Sequence, residues 1–408
     1  MKITCCRVWL TTLILTTVSA CGGGGSSSQS ELADRDFAFS DMMKTISDDI
    51  VIPRQKTAEQ TTTTFASEVL RYCESIGSDN EVLEQASLQE SWNDAMDAVQ
   101  WIDSYAFTPS TDNSSALKQR IHSFSATRLS HCGLDQAVVR LQNGEYDINT
   151  RSFNQRGMGA VEYLLFNDDL DHNCSLQISE TRLWNNLPDD VRKVQRCELA
   201  QVISNDVASA SAELVGRWDL DRGNFRSVFL NPENLSASLE QVLDTLFYIE
   251  LIGKDDKLGL PTQINSECSG EQCLNALESP FTRRTFNNLL INLQSFLEIY
   301  QGANGLSFDD LIRDKDLNNI ADQYKSFVDQ ALRIIETSVT DLETQALAIQ
   351  NDASEDLCLS ARMNPSTESS LSACRLYGQL KLLTDSLRTE FLGAVNLDLP
   401  ERAQSDND

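Results

Sequence analysis

The sequence holds little histidine, little proline and few positive charges, and after its first twenty residues it has no apolar run of membrane-spanning length. Its three histidines, His122, His131 and His172, leave no material for a His-rich zinc site or for a mechanism that needs several imidazoles. With 8 Pro and 18 Gly in 408 residues, several of the Gly in one run at Gly22 to Gly25, little of the folded part is turn-rich, and a mainly helical chain is expected. Lys and Arg number 33 against 61 Asp and Glu, a formal net charge of -28. Such a surface repels polyanions, and phosphate binding runs on Lys and Arg contacts, so nucleic acid is excluded as a partner. A nucleophile elbow, a phosphate-cradling glycine loop and a His-Glu-x-x-His helix are also missing, so conventional hydrolase chemistry has no visible machinery. What is present is enough apolar material, 41% of residues, to bury a large core.

Residues 1–20 begin with Lys2 and Arg7 and continue as the apolar stretch VWLTTLILTTV, the pattern of an export signal too short to span a bilayer stably. The stretch closes on Val18-Ser19-Ala20-Cys21, which resembles the bacterial lipobox, where the cysteine receives lipid and becomes the first residue after cleavage. The tether GGGGSSSQS that follows has the composition of a flexible spacer. Residues 1–20 therefore read as a lipoprotein signal peptide and 21–35 as lipid-anchor Cys and Gly/Ser tether, making the membrane a partner through lipid on Cys21. Position 22 is Gly rather than Asp, which by resemblance to Gram-negative lipoproteins implies an outer-membrane protein facing the periplasm. Without the signal, 31 basic residues face 61 acidic ones, so charge will not hold the protein on anionic lipid.

Apart from Cys5, Cys6 and the anchor Cys21, eight cysteines remain, and an even number in an exported chain points to disulfides. Proximity in sequence pairs Cys268 with Cys273, Cys358 with Cys374 and Cys174 with Cys197, leaving Cys73 for Cys132. A thiolate metal site is the alternative, but it has no C-x-x-C pair to build on.

Apolar residues recur at helical spacing from about residue 36, as in Leu199, Ile203, Val207, Ala210, Leu214 and Trp218. Further stripes run through Phe286 to Tyr300, through Tyr324, Val328, Ala331, Ile335, Val339, Leu342 and Ala346, and through Leu376 to Phe391. Period-two alternation is nearly absent. Helices that each bury one stripe pack most simply as bundles, so the fold class expected is all-α. A long connection near 219–232 divides it into an N-terminal helical half, 36–218, and a C-terminal one, 219–400, before an acidic tail at 401–408.

Two acidic segments invite a cation. Asp314, Asp316 and Asn318 match the first places of a calcium loop, but Asn319 stands where a Gly is needed and Lys325 where a bidentate Glu is needed. Asp168, Asp169, Asp171 and His172 crowd one loop, which reads either as a metal site or as a solvated turn beside Cys174. The stronger signal is Glu162, a carboxylate within Arg156-Gly157-Met158-Gly159-Ala160-Val161-Glu162-Tyr163-Leu164-Leu165-Phe166. A carboxylate in so apolar a turn must be paired or carry a raised pKa. It is suited to proton transfer or metal ligation, or it pairs with a basic residue such as Arg156 and fastens two helices.

This segment resembles the RGxPAxEYLLF stretch of the imelysin family, exported bacterial helical proteins classed with metallopeptidases and often tied to iron uptake. Other segments match in order. Ser91-Trp92 with Trp101 and Pro109 resembles the family's tryptophan helix, and Arg120-Ile121-His122 through Ser130-His131-Cys132 to Asp135-Gln136 its RIxxWPxxSRCxxDQ stretch. Leu246 to Glu250, Lys254 to Pro261 and Gly305 to Leu311 resemble its LFYxE, KDxKLxxP and GFDDLL segments. The resemblance implies two four-helix-bundle-like halves with the Glu segment near their interface. It also implies a site at Arg156, Gly157, Gly159, Glu162 and Tyr163, in which Glu162 is the one residue placed for catalysis or metal binding. The family's GxHxxE motif is incomplete, because its His position is Gly159. His122 and His131 lie outside that frame and read as surface or capping residues.

The function expected is a binding or accessory lipoprotein of the Gram-negative cell envelope in iron or haem acquisition, with iron or another divalent metal as the candidate cofactor. The alternatives are a metallopeptidase of imelysin type, which the missing His disfavours, and a helical adaptor for another envelope protein.

Overall fold

Helical spacing of apolar residues becomes helix throughout the computed structural model. The structure describes residues 37–112, 116–265, 268, 271–351, 360, 362–365 and 371–395, and among these no strand occurs. A continuous helical rod enters through Phe39–Lys44 and a π-helical stretch, Thr45–Val51, into α1, Ile52–Ser75. α2 spans Glu81–Asp103, α3 His131–Gln142, α4 Gly157–Phe166 and α5 Asp189–Trp218. A second π-helical stretch, Ile249–Gly259, precedes α6, Thr285–Gln301, α7, Asn318–Glu336, and α8, Ser372–Ser386.

α1, α2, α4 and α5 make the N-terminal bundle, in which α5 buries the whole expected stripe from Leu199 to Trp218. The π-helical Ile249–Gly259, α6, α7 and α8 make the C-terminal bundle. One stripe runs differently from its expected course. α7 ends at Glu336, and Val339 is 97% exposed in the turn before Leu342 and Ala346 are buried again.

The two halves join where α2 meets α6. There α6 buries a polar stripe, Asn288, Asn292 and Ser295, beside its apolar one. Asn292 donates to the Gln100 carbonyl at 2.9 Å, and Ser295 to the Trp101 carbonyl at 2.9 Å. At the edge, Arg54 holds Glu298 by two bonds of 2.7 and 2.9 Å and lies 3.6 Å over the ring of Trp101. A polar, directional seam of this kind fixes register, since every buried polar group must meet its own partner.

Disulfides follow the packing of the helices rather than nearness in sequence. Cys268 and Cys273 are joined as expected, but Cys73 pairs with Cys197 and Cys132 with Cys174. The expected Cys73–Cys132 and Cys174–Cys197 pairs are therefore wrong. The end of α1 lies against α5, which brings Cys73 and Cys197, 124 residues apart, to a Cα separation of 5.6 Å. The loop after α4 returns to the start of α3 and sets Cys174 4.6 Å from Cys132. Cys374 is disulfide-bonded, and its expected partner Cys358 lies outside the described residues.

Candidate functional site

Gly157 opens α4 and is required there twice over. Its φ is 78°, a region that disfavours side chains, and a Cβ would stand 2.9 Å from the Ile121 carbonyl oxygen. This close approach seats α4 in the N-terminal bundle and carries Glu162, one and a half turns on, to the seam between the halves. Arg156, just before α4, does not reach Glu162. It binds Asp206 of α5 at 2.6 and 3.0 Å, and Arg120 reaches the same carboxylate at 2.8 Å. Glu162 is tied instead to the C-terminal half, its Oε1 accepting from the backbone N–H of Thr282 at 2.8 Å and from its hydroxyl at 2.6 Å.

Glu162, 1% exposed, lines a cavity of about 180 Å³. Gly159 lies on the same wall, and a Cβ there would meet nothing within 4 Å, so the position that holds His in the family motif is open space in this chain. His131 and Arg128 line the cavity from the N-terminal half, Phe281 from the C-terminal half, and His122 and Glu278 lie at its floor. Burial pushes the Glu162 carboxyl up to about 8, Glu343 and Glu278 adding to the effect and the Thr282 hydrogen bonds opposing it. No ion pair forms on Glu162 among the described residues.

Tyr163 faces away from the cavity and holds its side wall. Its ring stacks on His131 at 4.5 Å between centroids and 9° between planes, and its hydroxyl donates to the buried Asp135 at 2.9 Å. Arg196 lies 3.5 Å from the same carboxylate and 5.1 Å from the Tyr163 ring. Burial, with Arg196 nearby, lowers the pKa of His131 and so keeps its imidazole neutral, the form able to accept a proton or ligate a cation. The Cys132–Cys174 disulfide adjoins His131 and braces this wall.

Beneath the cavity lies a cluster that sequence reasoning missed. Asp103, His122 and Glu278, all buried, each bring one donor atom within 4.8 Å of the others, the arrangement a metal site would need. His122 is therefore no surface residue. Its Nδ1 lies 3.5 Å from Asp103 and its Nε2 3.5 Å from Glu278. Ammonium groups weigh against a resident metal, because protein donors occupy both oxygens of Glu278 and one oxygen of Asp103, while Asp103 Oδ1 and His122 Nδ1 are left without a hydrogen-bond partner. Lys257 Nζ lies 2.9 Å from Glu278 Oε1 and 2.7 Å from both Gln100 Oε1 and Asn292 Oδ1, which uses all three of its protons. Gln100 and Asn288 donate to the two Glu278 oxygens at 2.8 and 2.9 Å. Tyr248 donates to Asp103 Oδ2, and Lys118 lies 3.9 Å from Oδ1. Burial opposes ionisation of Asp103, yet Lys118, His122 and Lys257 outweigh it and hold the carboxyl well below the usual range. Two carboxylates thus face two ammonium groups, and a dication would have to displace one of them.

The acidic loop behaves as a solvated turn. Asp171 pairs with Arg192 at 2.5 Å, and His172 accepts from the Cys174 N–H at 3.2 Å. Asp314 closes a short helix, Phe308–Asp314, and no metal cluster includes any of these residues among those described.

A family profile described as imelysin matches residues 51–364. An imelysin-like protein from Psychrobacter arcticus 273-4 superposes with a TM-score of 0.62 at 13% identity, over 89% of this chain and 98% of that one. A protein from Parabacteroides distasonis ATCC 8503, named as an iron-regulated protein A precursor, superposes with a TM-score of 0.57 at 14% identity, over 89% and 96%. These likenesses establish the all-helical fold. No curated protein matches. No described helix is long and apolar enough to cross a membrane.

Proposed function

We propose a binding role for this chain, which belongs to the imelysin family: it captures an iron ion, free or in a small chelate, in the cavity at Glu162, as an accessory component of iron acquisition in the cell envelope. The observation that carries the reading is a buried carboxyl that forms no ion pair among the described residues, facing a cavity that the motif glycine leaves open. A carboxylate oxygen is a hard donor of the kind ferric iron prefers, and the neutral His131 adds a nitrogen on the same cavity. At about 180 Å³ the space is smaller than the roughly 300–1,000 Å³ of sites for drug-sized ligands, which favours a hydrated ion or small chelate over haem. The name of the Parabacteroides protein is in keeping with iron and with export.

Capture displaces the proton from Glu162, so affinity rises with pH up to about 8. Titration of the chain from Cys21 onward with iron at pH 6.5 and 8.5 is expected to show tighter binding and less proton release at the higher pH, and loss of binding in Glu162→Gln. Absence of saturable binding at either pH sinks the proposal. Peptidase chemistry needs three protein ligands and a bound water. Gly159 removes one ligand, and the cluster below is already charge-matched. Chelator-sensitive cleavage of unfolded insulin chains would restore that reading, and neither binding nor cleavage would leave an envelope adaptor. The lipid on Cys21 and the outer-membrane position belong to the same proposal. They predict incorporation of labelled palmitate that Cys21→Ser abolishes.

A further inference from the structure

A second cavity, of about 290 Å³, lies where the start of α1 meets the end of α5. Its walls include Ile52, Gln55 and Lys56 of α1, Val215 and Trp218 of α5, and Arg226 of the short helix Phe225–Phe229. None of them belongs to the Glu162 site.

Gln55 is the telling residue. It occupies the buried stripe of α1 that continues through Ala58, Thr62, Phe65 and Val69, where an apolar side chain would pack without cost. It is 2% exposed, yet neither Oε1 nor Nε2 of its amide has a hydrogen-bond partner. Trp218, 1% exposed, is in the same state, with its indole Nε1 unpartnered. Buried donors and acceptors are nearly always satisfied, so three unpartnered atoms on two residues that line one cavity call for something that pairs with them. The geometry around them is stiff. Trp218 is packed edge-on against Phe107, Phe225 and Phe229, and Arg226 grips Asp48 of the π-helical Thr45–Val51 by bonds of 2.6 and 2.7 Å. π-Helical turns recur at functional sites, and this one lies directly upstream of the cavity wall.

We propose that this cavity is a second ligand site and that it takes a small molecule bearing a secondary amide. An amide pairs with an amide: the ligand N–H donates to Gln55 Oε1, and its carbonyl accepts from Gln55 Nε2 and the Trp218 indole. Ile52 and Val215 offer apolar surface to an alkyl part such as an acetyl methyl. The exposed Lys56 stands at the rim, where it can meet a polar remainder in water. Two sources offer this chemistry, an acetamido sugar and a peptide backbone.

N-Acetylglucosamine and N-acetylglycinamide serve as probes for the two sources, with binding to the chain from Cys21 onward followed by saturation-transfer NMR and calorimetry. Saturable binding of one or both is expected, and which probe binds identifies the source. Trp218→Phe and Gln55→Met are each expected to weaken it about tenfold or more, the effect of losing a satisfied hydrogen bond in a dry site. Gln55→Glu keeps the shape but removes the N–H donor, so it should also lose binding, at a cost in stability from the buried carboxyl. Glu162→Gln should leave probe binding unchanged, which separates this site from the iron cavity. The proposal is overturned if neither probe binds saturably, or if all three Gln55 and Trp218 variants bind as the parent does while melting cooperatively, because the cavity then holds only water.

Discussion

The cavity and the cluster beneath it are built from the same kinds of side chain, and they differ in what balances the charge. In the cluster, Glu278 and Asp103 are buried among Lys257, Lys118 and Tyr248, and burial is outweighed, so that Asp103 is held far below its usual range. In the cavity, Glu162 is buried as deeply, receives hydrogen bonds from Thr282 alone among the described residues, and is pushed up to about 8. One region has its carboxylates matched by ammonium groups, with only Asp103 Oδ1 and His122 Nδ1 left unbonded. The other has an open valence, and it lies where Gly159 makes room. Buried carboxylates therefore do not mark a metal site by themselves, and the informative quantity is the cation that is missing.

The comparison breaks most forcibly at Lys257. Lys257→Met keeps the length of the side chain but leaves Glu278 as a buried charge without its ammonium, which is expected to cost about 3–5 kcal/mol in urea unfolding. The double variant Lys257→Met/Glu278→Gln should recover most of that loss, because the two changes remove a pair rather than half of one. If the single variant loses less than about 1 kcal/mol, the cluster is not charge-matched by Lys257 and the metal reading of Asp103, His122 and Glu278 reopens.

Glu162→Gln tests the other side, and the sign depends on pH. The carboxyl has an ordinary value of 4.5 and a folded value of about 8. Below 4.5 both states bind the proton and it does not affect stability. Between 4.5 and about 8 the unfolded chain ionises while the folded one does not, so the parent loses stability as pH rises through that window. The amide cannot ionise but still accepts from Thr282. The variant should therefore match the parent near pH 4.5 and exceed it by up to about 5 kcal/mol at pH 8.5 in metal-free buffer. An equal difference at both pH values would show that Glu162 is not held neutral.

Helical spacing alone was enough to read the bundles, since α5 buries the stripe that its apolar residues mark out. Glu162 was legible too, as a carboxylate in an apolar turn. The charge-matched cluster was not, because Asp103, His122, Lys257 and Glu278 come from four separate segments and gain meaning only when α2 meets α6. The disulfides failed for the same reason. Sequence neighbours predict short loops, whereas Cys73 and Cys197 meet across 124 residues once α1 and α5 pack. Gln55 had a visible signal, a polar residue on an apolar stripe, but nothing in the sequence shows that its amide is left without a partner.

The smallest effects separate the two glycines of α4, and their signs should oppose. Gly157→Ala forces a side chain into φ 78° and against the Ile121 carbonyl at 2.9 Å, which is expected to cost about 1–3 kcal/mol in thermal unfolding. Gly159 is an ordinary helical residue beside open space, so Gly159→Ala should stabilise the fold by about 0.5–1 kcal/mol through helix propensity. Nothing in the packing therefore asks for glycine at 159. If the alanine variant is more stable and yet binds iron more weakly than the parent, the glycine serves the volume of the cavity. If it is more stable and binds equally well, the opening beside Glu162 plays no part in capture, and the difference between cavity and cluster rests on charge alone.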